Sequence, residues 1–227
     1  MTGAGDAVPA ALVGTDPGDG GCDRGYATTD CLWGRDPEPL VKELAARFPM
    51  AGARVLDAGC GEGRNAAYLG GLGARVLALD VSPLALRNAR AAWGDASGVD
   101  WVLGDVRDRG FAPGEFDVVI CDSLLHWLPG REDVAAVMSV LRRATRRGGW
   151  HVTCAFNDRA QELDGHVTPP RCILPHTELI AAYDGWEVLA RHDVDSISSH
   201  ADQPRPHRHS STKLLVRRPA QPRGTSP

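Results

Sequence analysis

Residues 55–65 read Val55-Leu56-Asp57-Ala58-Gly59-Cys60-Gly61-Glu62-Gly63-Arg64-Asn65, and this stretch decides the fold. An apolar strand pattern, Arg54 to Asp57, runs into a turn with glycine at every second position. A helical pattern opens at Arg64 and is stopped by Gly70-Gly71-Leu72-Gly73. Strand, glycine loop and helix in that order form the setting in which such a motif holds a nucleotide-like ligand. Glycines let the backbone turn sharply and approach a ligand, and the N–H groups of the helix start point at it.

Working outward, apolar runs and helical patterns keep alternating. A helix is expected over Pro39–Phe48, a second strand over Arg75–Asp80, and a helix capped by Ser82 with Pro83 in its first position. Strands follow at Val99–Leu103 and Phe116–Cys121, the latter apolar on both faces as a central parallel strand is. A helix over Glu132–Arg146, closed by Gly148-Gly149, leads into a strand at Trp150–Phe156. Residues 157–175 are irregular around Pro169-Pro170, a length that in a compact domain is usually functional. A short helix at Glu178–Tyr183 precedes two strands, Trp186–His192 and Thr212–Arg217, joined by a polar, His-rich segment. The expected fold is α/β: a Rossmann-like, doubly wound, seven-stranded, mostly parallel sheet with an antiparallel last strand. Residues 1–25 and 219–227 lack apolar periodicity and are expected to be a flexible arm and tail around one domain, 26–218.

Two further carboxylates follow strand ends. Asp80 stands where a carboxylate can accept both ribose hydroxyls, and Asp105, with Val106, follows the third strand where the pair can meet an adenine edge. A dinucleotide fingerprint would need a third glycine at Arg64 to admit a pyrophosphate. S-adenosylmethionine (SAM) has no phosphate, and its ammonium wants the carboxylate that Asp57 offers directly or through water.

The sequence resembles the class I SAM-dependent methyltransferases in four successive signatures: VLDAGCGEGRN, VLALDVS, LGDVRD and FDVVICDSLLHWLP, followed by LRRATRRGGWHVT. GCGEGRN and the ending HRHSSTKLLVRRP are similar to the tellurite-resistance and small-molecule branch. The resemblance implies SAM as cofactor, held by Asp57, Gly59, Cys60, Gly61, Arg64, Asn65, Asp80, Val81, Asp105, Val106 and Cys121, with Asp122 as the alternative to Cys121 at the end of the fourth strand. It implies methyl transfer to a small-molecule O, N or S acceptor, with natural-product tailoring as a setting that the Ala/Gly/Arg-heavy composition supports. The alternative is a SAM-binding protein with other chemistry or a regulatory role.

His126, at the mouth of the fourth strand, is the candidate catalytic base. Its competing role is to brace the cofactor from within a packed helical turn. Trp33 and Arg35 precede the fold proper, where a lid or substrate wall is expected. His207 and His209 alternate in an extended stretch, so both face one side and are expected at the substrate. Asp193, Asp195, His200 and Asp202 lie nearby in sequence, but the spacing matches no firm ligand pattern, and no metal is expected.

The formal charge of −4 argues against nucleic acid or an anionic membrane as partner. The basic run Arg142-Arg143 and Arg146-Arg147 is placed to complement a helix dipole. Six cysteines without a CxxC pair, no apolar stretch of spanning length and no basic-led apolar start favour a reduced, cytoplasmic chain without a secretory leader.

Overall fold

The computed structural model describes residues 22–94, 96–164, 166, 169–199 and 205–220. A seven-stranded sheet runs in the order β3-β2-β1-β4-β5-β7-β6. Its strands are β1 (Arg54–Ala58), β2 (Arg75–Asp80), β3 (Val99–Leu103), β4 (Phe116–Asp122), β5 (Thr145–Phe156), β6 (Glu187–Ser198) and β7 (His207–Arg217). The first five pair in parallel, and β7 lies antiparallel to both β5 and β6. The helices are α1 (Asp23–Tyr26), α2 (Pro39–Arg47), α3 (Arg64–Gly71), α4 (Pro83–Trp93), α5 (Arg131–Ala144) and α6 (His176–Ala181).

Each sheet face carries its own core. One buries Leu40, Val41 and Leu44 of α2, Ala66 and Leu69 of α3, and Leu86 of α4. The other buries Val134, Val137, Met138 and Leu141 of α5 with Leu179 of α6. Central strands are therefore apolar on both sides, which explains the unbroken run Val118-Val119-Ile120. The chain reverses between β1 and β4, and the carboxyl ends of both open at one edge, the place where open α/β sheets bind ligands.

Four sequence expectations change. The helix expected to run to Arg146 and to be closed by Gly148-Gly149 ends at Ala144, and β5 begins at once at Thr145. The glycine pair lies inside the strand: a Cβ on Gly149 would meet Asp117 O at 2.8 Å, so the pair permits the irregular register opposite Phe116 and Val118. The last helix starts at His176, after Pro175, instead of at Glu178. Strands β6 and β7 extend well beyond the expected bounds, so His207 and His209 lie within a strand. Residues 22–25 belong to the fold: Asp23 of α1 is buried and hydrogen-bonded to the Ser82 hydroxyl. The arm and tail expected at 1–21 and 221–227 lie outside the described residues, as do His200 and Asp202. Of the basic run, Arg142 and Arg143 fill the last turn of α5, while Arg146 pairs with Asp117. Among the described residues no helix is long and apolar enough to cross a membrane.

The sheet is tied to α2 by one ion pair. Lys213 Nζ on β7 donates to both oxygens of Glu38, at 2.9 and 3.0 Å, and Glu38 is buried at the N-cap of α2. Replacing Lys213 by Met strands a buried carboxylate and should cost about 3 kcal/mol in urea unfolding. The double variant with Glu38→Gln should recover most of that loss; equal stability of the two variants would show that the pair is not what matters.

Candidate active site

A cavity of about 670 Å³ opens at the carboxyl edge of the sheet, within the range of small-molecule and cofactor sites. Its wall on one side is the loop between β1 and α3, residues 59–63, together with Arg64 and Asn65. Gly63 has φ +80°, and a Cβ there would meet the Trp101 ring at 2.3 Å, so only glycine fits at this helix start. Asp80, at the end of β2, fixes the loop: Oδ2 accepts from Gly61 N at 2.7 Å and Oδ1 from Ser82 N at 2.9 Å. Those bonds leave the outer lone pairs of a carboxylate on the cavity wall.

Four carboxylates ring this edge. Asp57 is buried beneath the loop, and its Oδ2 has no hydrogen-bond partner. Burial, with Asp122 and Asp80 adding repulsion against Arg64, raises its pKa to about 8. Asp122, at the end of β4, accepts from Arg64 Nη2 at 2.8 Å and Asn65 Nδ2 at 3.0 Å. Asp105 is gripped by Arg107, whose Nε lies 3.0 and 2.9 Å from its two oxygens. Although partial burial opposes it, this guanidinium keeps Asp105 below the usual carboxylate range.

A buried carboxylate with one unpartnered oxygen below a glycine loop fits the ammonium of SAM, directly or through water. The neighbouring acids and the engaged Arg64 make a poor place for a pyrophosphate. When bound, SAM would bring a methyl already activated by its sulfonium charge. Asp57 would then hold the amino-acid end, Asp80 the ribose, and Asp105 with Val106 the adenine.

The N-terminal segment forms the roof. Glu62 accepts from Cys31 N at 3.1 Å, Leu32 N at 2.5 Å and Asn88 Nδ2 at 3.0 Å. Arg64 Nη1 donates to Trp33 O at 2.9 Å, so the start of α3, next to the glycine loop, also holds the roof. Tyr26 Oη accepts from Trp33 Nε1 at 3.3 Å. Trp33 lines the cavity; Arg35 does not, and its guanidinium lies 5.4 Å over the Trp93 ring instead. Cys60 and Val81 reach the wall, but Cys121 points into the core and Asp122 takes its expected place.

The far wall is aromatic. His126 stacks on Phe156 with centroids 4.3 Å apart, and Phe156 stacks on His209 at 4.6 Å. His126 Nδ1 accepts from Phe156 N at 3.4 Å, and burial pulls its pKa down to about 3, outweighing Asp122. That imidazole presents Nε2–H and is a feeble base near neutrality. His209 lines the cavity, with His207 packed behind it at an Nε2–Nε2 distance of 2.8 Å. Sequence reasoning missed His166, which arrives from the irregular 157–175 loop; its only signal was the unusual length of that loop.

The raised pKa of Asp57 makes two predictions of opposite sign. In the free protein, the protonated form is favoured by folding, so the stability contribution is full below about pH 4 and is lost as pH rises through 8. Asp57→Asn should therefore raise the Tm of the free protein, and by more at pH 8 than at pH 5. The same variant should weaken SAM binding at least tenfold. Wild-type affinity should rise with pH up to about 8, because the ammonium favours the anion; calorimetry showing a flat profile would remove Asp57 from the cofactor.

A methyltransferase-domain family model matches residues 56–153. The ubiquinone biosynthesis O-methyltransferase of Thiobacillus denitrificans is 39% identical over 123 residues, which is 53% of this chain and 52% of that protein. The chain spans about half the length of the curated relatives it matches. Among solved structures, TehB from Haemophilus influenzae superposes with a TM-score of 0.66 at 20% identity, over 88% of this chain and 66% of that one. A protein from the conversion of a disulfide bond into a thioacetal group during echinomycin biosynthesis gives 0.65 at 24% identity, over 88% and 90%. Both share the fold. Residues 56–153 thus match a methyltransferase domain, set on a sheet whose fold these solved structures share.

Proposed function

We propose that the protein transfers the sulfonium methyl of SAM to a small-molecule acceptor, with a hydroxyl oxygen as the first choice. The observation that carries this reading is the two-ended cavity. One end offers carboxylates and a glycine loop; the other offers a stacked wall of His126, Phe156 and His209 under the Trp33 roof. A flat, aromatic or conjugated acceptor fits between the roof and that wall. The relative from Thiobacillus denitrificans, named as an O-methyltransferase, supports oxygen as the receiving atom.

Methyl transfer from a sulfonium is an in-line displacement, so alignment supplies most of the acceleration. We assign His126 to positioning: its Nε2–H can donate to the acceptor while the ring is clamped by Phe156. Six cysteines without a CxxC pair, four of them buried, support a reducing cytoplasmic setting. A tailoring step in natural-product biosynthesis is the context we favour on composition. Small-molecule chemistry, with neither nucleic acid nor membrane as partner, agrees with the −4 charge.

The test is S-adenosylhomocysteine formation by the full chain across a panel of phenols, catechols, thiols and amines. Turnover with a hydroxyl compound is expected. SAM binding without S-adenosylhomocysteine from any member, or product without it, would favour the non-methyl or regulatory reading. With the best acceptor, His126→Gln should raise KM while lowering kcat less than tenfold, and should leave the pH profile unchanged. A loss of 10²-fold or more in kcat would restore it as the base.

A further inference from the structure

Three histidines meet beside the acceptor end of the cavity. His207 and His209 occupy alternate positions of β7, and His166 comes from the loop after β5; one ring nitrogen from each lies within 4.8 Å of the other two. In every case Nδ1 faces an oxygen that can only accept. His207 Nδ1 donates to Arg205 O at 2.8 Å, His166 Nδ1 to Leu163 O at 3.0 Å, and His209 Nδ1 to Gln161 Oε1 at 2.8 Å. The Gln161 amide is itself oriented, because its Nε2 donates to Asn157 O at 2.8 Å and Ser210 O at 2.5 Å. With Nδ1–H so committed, each neutral ring carries its lone pair on Nε2.

The consequence is electrostatic. His207 Nε2 and His209 Nε2 are 2.8 Å apart, and two neutral rings of this tautomer would set lone pair against lone pair. A cation resolves the conflict. A proton can bridge two nitrogens, but here a third imidazole approaches the same point, edge-on to His207 with centroids 4.6 Å apart. Neutral imidazoles whose second nitrogen is bound to a carbonyl oxygen are what zinc-class ions select.

We propose that His166, His207 and His209 bind a divalent zinc-class ion through Nε2, with the fourth position open to the cavity. Tetrahedral ligation at about 2.0–2.1 Å places ligand nitrogens roughly 3.3 Å apart, so His207 and His209 part slightly and His166 closes in. Three protein nitrogens and one open position make a site of the catalytic kind. His166 and His209 both line the cavity, which puts that position where an acceptor sits. Resting on the methyl-transfer reading, the ion would bind the acceptor oxygen or sulfur as an anion, its proton released to solvent on binding. The acceptor–methyl bond then forms as the sulfonium–methyl bond breaks, leaving S-adenosylhomocysteine, and no protein base is needed. That fits the poor basicity of His126. The other convergence of ligand atoms, Glu38 with Asp122 and Cys154, is already neutralised by Lys213 and Arg64.

The experiment is a calorimetric titration of tag-free, chelator-treated full chain with zinc, repeated with cobalt to read its absorption spectrum. One zinc per chain and the intense visible bands of tetrahedral cobalt are expected. His209→Ala and His166→Ala should each weaken zinc at least tenfold, and Gln161→Leu, which removes the acceptor of His209 Nδ1 but no ligand atom, about tenfold. SAM affinity reports the fold in each variant and should persist in Gln161→Leu. Protein that binds SAM yet takes up no zinc, or zinc affinity unchanged in both alanine variants, overturns the site. Metal-independent methyl transfer by chelated protein would overturn the acceptor role while leaving the proposed function standing. Stoichiometric zinc without turnover on any acceptor would leave the site standing and count against that function.

Discussion

The site depends on one carboxylate shared by two backbone N–H groups. Asp80 ends β2 and accepts from Gly61 in the loop after β1 and from Ser82 at the start of α4. A parallel sheet aligns its strand ends but does not by itself fix the loops that leave them. Here one buried acid joins two such loops, and charge-assisted bonds of this kind are among the stronger ones available. Ser82 in turn caps α4 by accepting from Ala85 N and pairs with Asp23 of α1. The loop, the helix and the N-terminal roof are therefore set from a single point.

The roof belongs to the same network. Glu62 and Arg64 lie in or beside the glycine loop, yet their side chains bind the backbone of residues 31–33. Arg64 bridges onward to Asp122 at the end of β4. A ligand that shifts the loop must disturb the roof, which couples occupation of the carboxylate end to the shape of the acceptor end. Asp57 is buried with Oδ2 unpartnered, a polar atom whose desolvation nothing in the free protein offsets. Such a site trades stability for binding, as functional sites commonly do.

Much of this was legible in the sequence, because it is local. Strand, glycine loop and helix follow one another in residues 54–71, and Ser82-Pro83 announces α4. The carboxylates at 57, 80 and 105 each mark a strand's end or its following turn. What escaped was set by distant partners. Cys121 and Asp122 are neighbours, and only the pleat decides that the acid reaches the cavity while the thiol enters the core. Gly148-Gly149 looked like a helix stop because glycine serves both helix ends and bulges; the approach of Asp117 O decided for the bulge. Arg35 has the chemistry of a substrate anchor but found Trp93. His166 lies in a segment without periodicity, so nothing before the fold itself could place it beside His207 and His209.

The central claim is that the carboxylate end holds SAM and the aromatic end holds the acceptor. A crystal structure of the full chain with S-adenosylhomocysteine tests it most directly. The account predicts ribose hydroxyls on Asp80, adenine beside Asp105 and Val106, and the amino-acid end over Asp57, with the sulfur facing His126 and His209. Adenine lodged instead against the Phe156 wall, or ligand outside the cavity, would contradict it.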